Sequence, residues 1–187
     1  MILISVEGGT SKQRDLGEDA LRFFVKKLMP RKRNLIIDLK IHNLIQYDIA
    51  GFCEHVGKNE VMLESHHRGT LYDYISFLAH ESIHMKQYVT GELTTVGRKE
   101  LWHGEDYSDM PYKKQPWEIE AWNSQHYLAK DFIKNEMRLT LKAAKDMSPR
   151  TLKKMNWKVE DDFNNKIIER REKEGMKTIA YKKAKTR

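Results

Sequence analysis

The 187 residues predict an α+β domain, and three observations carry that expectation. Apolar residues recur at three-and-four spacing over residues 12–29 and from residue 116 to about 147, the mark of amphipathic helices. Residues 69–91 carry a helix start and a helix stop around a further apolar set. Short runs rich in Ile, Leu and Val, bounded by glycine, read as strands of a small sheet. An apolar content of 40% is enough for a real core.

In chain order, Ile2, Leu3, Ile4 and Val6 form a short apolar run ended by Gly8-Gly9, a strand or a docked N-terminal segment. Leu16, Ala20, Leu21, Phe24, Val25 and Leu28 line one face of the helix over 12–29, which Pro30 closes. Arg31-Lys32-Arg33 reads as a solvated turn. Residues 34–45 and 60–65 read as two or three strands, with Gly51 and Gly57-Lys58-Asn59 marking turns between them. Thr70 and Asp73 form a capping-box-like start and Gly91 a stop for the helix carrying Leu71, Ile75, Leu78, Ile83 and Met85.

Residues 91–116 show no sustained periodicity but hold Trp102, His103, Tyr107 and Tyr112, so they read as a long functional connection at the lip of a site. Pro116 opens the next helix, with Trp117, Ala121, Leu128, Phe132, Ile133 and Met137 as its apolar set. Ser148-Pro149 starts a further helix up to Gly175, and residues 177–187 are a basic tail. The expected division is a domain over 1–147 and a helical extension with tail over 148–187.

Net charge is +7, but it is not evenly spread. Residues 150–187 hold 13 Lys/Arg against 6 Asp/Glu, leaving 21 of each before them. A balanced core with a basic extension is a different object from a basic nucleic-acid-binding domain, although the tail could meet nucleic acid or another acidic partner. The single Cys53 excludes an internal disulfide, its neighbours show no Cys-protease pattern, and it reads as an inert thiol. No apolar run approaches a membrane span or a signal-peptide core, so a soluble, cytoplasmic protein without membrane contact is expected.

The chemistry concentrates in His80-Glu81-Ser82-Ile83-His84. Residues four apart on a helix differ by about 40° in azimuth, so His80 and His84 point the same way and can clamp one metal ion. Glu81, turned by about 100°, flanks the pair without joining it, as suits a general base. The plainer alternative is a core helix with two hydrogen-bonded histidines. His42, His55, His66 and His67 lie among the strands and are not expected to be ligands. A catalytic zinc needs a third protein ligand and an open position. Glu118 and Glu120 stand near the start of the next helix, where Ala121 lets two helices approach closely.

His80-Glu81-Ser82-Ile83-His84, followed after about thirty residues by Pro116-Trp117-Glu118-Ile119-Glu120-Ala121-Trp122, resembles the gluzincin zinc metallopeptidases, in particular small single-domain forms that include SprT-like and phage-encoded ones. The resemblance covers roughly residues 60–125. It implies a zincin-like fold, Zn2+, His80, His84 and Glu118 as metal ligands, and Ala121 as the small residue that follows the third ligand. It departs at Trp122, where the family often has Asp, and the expected carboxylate behind the first histidine is missing. The SprT proteases proper use a third His, which residues 118–121 lack.

The expected function is zinc-dependent hydrolysis of a peptide or protein substrate. Zinc lowers the pKa of a water toward about 7, and Glu81 takes its proton and passes it to the leaving amine. His103, Tyr107 or Tyr112 would steady the oxyanion. Gln87, one turn beyond His84, reads as an exposed helix residue, with contact to the metal ligands as the alternative. The rival from another class is a zinc-stabilised binding module whose basic tail contacts nucleic acid or an acidic protein; the lack of further ligands for a closed site favours catalysis.

Overall fold

The computed structural model describes residues 1–44, 50–66 and 69–148. The expected helix from Ser148-Pro149, the basic tail and His67 fall outside them. The elements run β1 (Ile2–Gly8), α1 (Ser11–Leu28), β2 (Leu35–His42), β3 (Gly51–Gly57), β4 (Glu60–His66), α2 (Leu71–Thr90), β5 (Leu93–Val96), β6 (Lys99–Trp102), β7 (Glu105–Asp106), a 3₁₀ turn (Tyr112–Lys114), α3 (Pro116–Asn135) and α4 (Leu141–Lys145). This is an α+β arrangement with a small mixed sheet.

The sheet has the order β1-β2-β4-β3. β1, β2 and β4 run parallel, and β3 lies antiparallel to β4 at one edge. Period-2 alternation puts Leu35, Ile37, Leu39 and Ile41 of β2, with Val61 and Leu63 of β4, on the face that the helices cover. α1 and α2 pack together, and α2 also meets α3, α4, β3, β4 and β5. It is the central element, buried on nearly all sides, which is why its sequence is apolar beyond a single stripe.

Local chemistry fixes where that helix begins and ends. Asp73 Oδ2 accepts from the Thr70 backbone N–H at 2.9 Å and from its hydroxyl at 2.7 Å, while the Asp73 N–H donates to Thr70 Oγ1 at 3.1 Å. At the other end Gly91 adopts φ 78°, the left-handed region where glycine carries no Cβ penalty. The Leu71 N–H also donates to Met147 O, tying the end of α4 to the start of α2.

Three expectations need correction. Gly51 is not a turn but the first residue of β3, paired with Ser65, and β3 with β2 and β4 makes three strands, the larger of the two numbers expected. Residues 91–116 are not a structureless connection: β5, β6 and β7 make an antiparallel sheet, and the 3₁₀ turn follows. Those strands are four, four and two residues long and, Leu93 aside, exposed or half-buried, so they carry too little apolar alternation to be seen. The helix from Pro116 ends at Asn135 and not near Met147. The Met137 N–H turns back to Phe132 O, Arg138 takes φ 54°, and Thr140 caps α4 through the Ala143 N–H. Among the described residues no helix is long and apolar enough to cross a membrane.

Replacing Thr70 with Ala removes the side chain of a buried capping box. A loss of about 1–2 kcal/mol is expected in chemical denaturation, with metal affinity of the folded protein unchanged within a few-fold, because His80 lies almost three turns away.

Candidate metal centre

His80 and His84 stand one turn apart in α2 with their Nε2 atoms 3.1 Å apart. Glu118, in the first turn of α3, brings Oε2 to 3.4 Å from His80 Nε2 and Oε1 to 3.5 Å from His84 Nε2. A tetrahedral zinc with bonds of about 2.0–2.1 Å holds its ligand atoms about 3.3–3.4 Å apart; each Nε2 here has one carboxylate oxygen near that distance, a different oxygen for each ring, so the three groups could close on such an ion with small side-chain shifts. All three are buried, at 7%, 3% and 3% exposure, and among the described residues they form the one His/Cys/Asp/Glu group able to hold a metal.

The backbone explains the convergence. Pro116 occupies the first turn of α3, and the Ile119 N–H already donates to Gln115 O at 3.0 Å, so Glu118 sits on formed helix. Ala121, fully buried, lets α3 come close to α2 one turn further on. Glu120 faces elsewhere: it accepts from Lys86 at 3.1 Å and from Gln87 Nε2 at 2.8 Å.

Each imidazole is held from behind. His80 Nδ1 lies 2.8 Å from Gln125 Oε1, and His84 Nδ1 lies 2.8 Å from Gln87 Oε1. Both contacts are satisfied if Nδ1 carries a proton and donates to the amide oxygen, which turns each Nε2 toward Glu118, as a donor when the ring is charged and as a lone pair free to ligate when it is neutral. Gln87 is therefore not an exposed helix residue but a fully buried one. Its Nε2 also donates to Trp117 O at 3.0 Å, so it ties His84 to the turn that carries Glu118. Sequence reasoning missed Gln125. It lies seven residues beyond Glu118 on the same face, a lone polar residue between the buried Ala121 and Ala129, and that was the available signal. It supplies the acceptor that Trp122 does not; the Trp122 ring instead lies edge-on to His80, 4.9 Å between centroids.

Glu81 is buried beside the pair and lies outside the three-ligand group. Gly51 explains its placement. A Cβ there would stand 2.5 Å from Glu81 Oε1 and 2.8 Å from its Cγ, so the first residue of β3 must be glycine for the carboxylate to sit where it does.

The three oxyanion candidates are placed less directly. His103 is exposed in the β6–β7 turn at φ 49°, its ring edge-on to Trp102. The Tyr107 hydroxyl donates to Glu105 at 2.9 Å, and its ring meets Trp117 edge-on, beside Glu118. Tyr112 opens the 3₁₀ turn, half-buried. Of the other histidines, His42 pairs with Glu64 at 3.0 Å, His55 stacks on Tyr88, and His66 Nδ1 accepts from the Leu44 N–H at 3.1 Å.

Electrostatically the metal-free site is a buried ion pair. Burial disfavours a charged His84, but Glu118, Glu81 and Gln87 together outweigh it and raise His84 to about 9. Burial likewise pushes Glu118 up, and the two imidazoles outweigh that and hold it well below the usual carboxylate range. A folded value above the ordinary value of about 6.5 stabilises the fold fully below that pH and is lost as pH rises through about 9. Without metal, the denaturation midpoint should therefore fall between pH 6.5 and 9. Glu118→Gln should flatten that slope; an equally steep slope in the variant would remove Glu118 as its cause.

A second expectation separates the two glutamates of α3 by zinc titration against a chelator. Glu118→Ala should weaken zinc by roughly a hundredfold or more, and Glu120→Ala by a few-fold at most, since the latter reaches His84 only through Gln87.

In comparisons with known proteins, no family model, no curated protein and no solved structure matches the chain.

Proposed function

We propose that the chain is a zinc-dependent peptidase with a zincin-like domain of the gluzincin type. The observation that supports this reading is the convergence of His80 Nε2, His84 Nε2 and the Glu118 carboxylate, whose ligand atoms all lie within 4.8 Å of one another, on a buried place where one ion could reach all three. The group has three members among the described residues. A structural zinc closes its fourth position with a protein ligand, whereas a catalytic one keeps it open, so a three-membered group favours catalysis over a zinc-stabilised binding module.

When bound, zinc supplies Lewis-acid chemistry, lowering the pKa of a water toward about 7 and polarising a peptide carbonyl. The chain's residues supply the rest. His80 and His84 are held in the ligating tautomer by Gln125 and Gln87. Glu81 accepts the proton of the attacking water as the C–O bond forms, then gives that proton to the amine nitrogen as the C–N bond breaks. β3 begins against Glu81 and fixes where its carboxylate lies.

Two substitutions test the assignment on the zinc-loaded protein with a quenched-fluorescent peptide library as substrate. Glu81→Gln should retain one zinc per chain and lose hydrolysis by at least about 100-fold. Gly51→Ala should displace the same carboxylate and reduce hydrolysis by about tenfold or more, with zinc affinity within a few-fold of the parent. Loss of zinc in Glu81→Gln with unchanged turnover per bound ion would remove Glu81 from proton transfer.

A further inference from the structure

Both imidazoles of the site lean on neutral amides, and the two amides are not equivalent. Gln87 uses each of its polar atoms: Oε1 faces His84, while Nε2 donates to Trp117 O and to Glu120. Gln125 uses one. Its Oε1 faces His80 Nδ1 at 2.8 Å, but Nε2 is buried and has no hydrogen-bond partner among the described residues. At 1% exposure the residue is shut away from water, so that donor carries its full desolvation penalty.

A glutamate at 125 would accept the same Nδ1 proton and strand no donor. It would also bring a third carboxylate to a place that already buries Glu81 and Glu118. The cationic groups nearby are already engaged, His84 by Glu118 and Lys86 by Glu92 and Glu120. Without a divalent ion a third buried negative charge has little to balance it, and burying such a charge unpaired is strongly unfavourable. With the ion present, a carboxylate behind His80 makes the imidazole a stronger ligand than an amide does.

Resting on the metal-centre reading above, we propose that Gln125 is a positioning residue that orients His80 through Nδ1 while keeping the metal-free site one negative charge lower, so that the protein folds before loading and holds zinc less tightly than the fold allows. Position 125 thus sets the balance between metal affinity and metal-free stability. The stranded Nε2 is the structural consequence of choosing neutrality.

The test uses the full chain with zinc as the probe, and compares the parent with Gln125→Glu and Gln125→Leu. Zinc affinity is read by chelator competition, and melting temperature is read without metal and with saturating zinc. Gln125→Glu should bind zinc about tenfold tighter, melt lower without metal, and show a larger zinc-induced rise. Gln125→Leu should bind zinc about tenfold or more weaker, with a metal-free melting temperature close to the parent's, because it exchanges the unpaired Gln125 donor for an unpaired His80 Nδ1–H. The affinity order Leu, Gln, Glu is the signature. If both variants melt lower and neither moves zinc affinity by more than about twofold, residue 125 only fills space and the proposal fails. Weaker zinc binding in Gln125→Glu also overturns it. If the parent itself takes up no zinc, the metal-centre reading fails and this proposal falls with it.

Discussion

The site depends on how closely α3 approaches α2. Two histidines one turn apart are a feature of one helix, but the third group arrives because Ala121 presents only a methyl group between the helices and Gln87 reaches across to Trp117 O and Glu120. Glu118 is placed by the same contact that forms part of the core. A larger residue at 121 would separate the helices and take the carboxylate away from both imidazoles. Sheet, caps and core can be understood as the scaffold that keeps α2 fixed while α3 lies along it.

The parts that could be read in the sequence share a local cause. α1 shows its amphipathic spacing and its Pro30 stop, and α2 shows its Thr70/Asp73 start, its Gly91 end and the His80/Glu81/His84 arrangement, because each lies in a few consecutive residues. Glu118 was legible once paired with Ala121. What escaped depends on contacts between distant residues. Gly51 reads as a turn glycine until Glu81, thirty positions away, is found against it. Gln87 and Gln125 look like ordinary polar helix residues, and only the helix packing makes them the supports of the two imidazoles. The break after Asn135 is hidden because Met137 continues the apolar pattern after the chain has left the helix.

The departure at Trp122 has a physical resolution. The resemblance to gluzincins leads one to expect a carboxylate behind the first histidine; here an amide stands one turn further along α3 and reaches the same Nδ1, while the indole covers the ring. The donor geometry is kept and the charge is not. The chain's basic excess lies apart, in residues 150–187, while the numbers of acidic and basic residues before them are equal. Chemistry at the site and any attraction of acidic partners therefore belong to different stretches of the chain.

The identity and number of the groups around the proposed ion are read most directly by zinc K-edge X-ray absorption on the zinc-loaded full chain. The expected spectrum has a shell of nitrogen and oxygen neighbours at about 2.0–2.1 Å, with multiple scattering from two imidazoles and no sulfur. Sulfur near about 2.3 Å, three or more imidazoles, or a spectrum left unchanged by Glu118→Ala would contradict it.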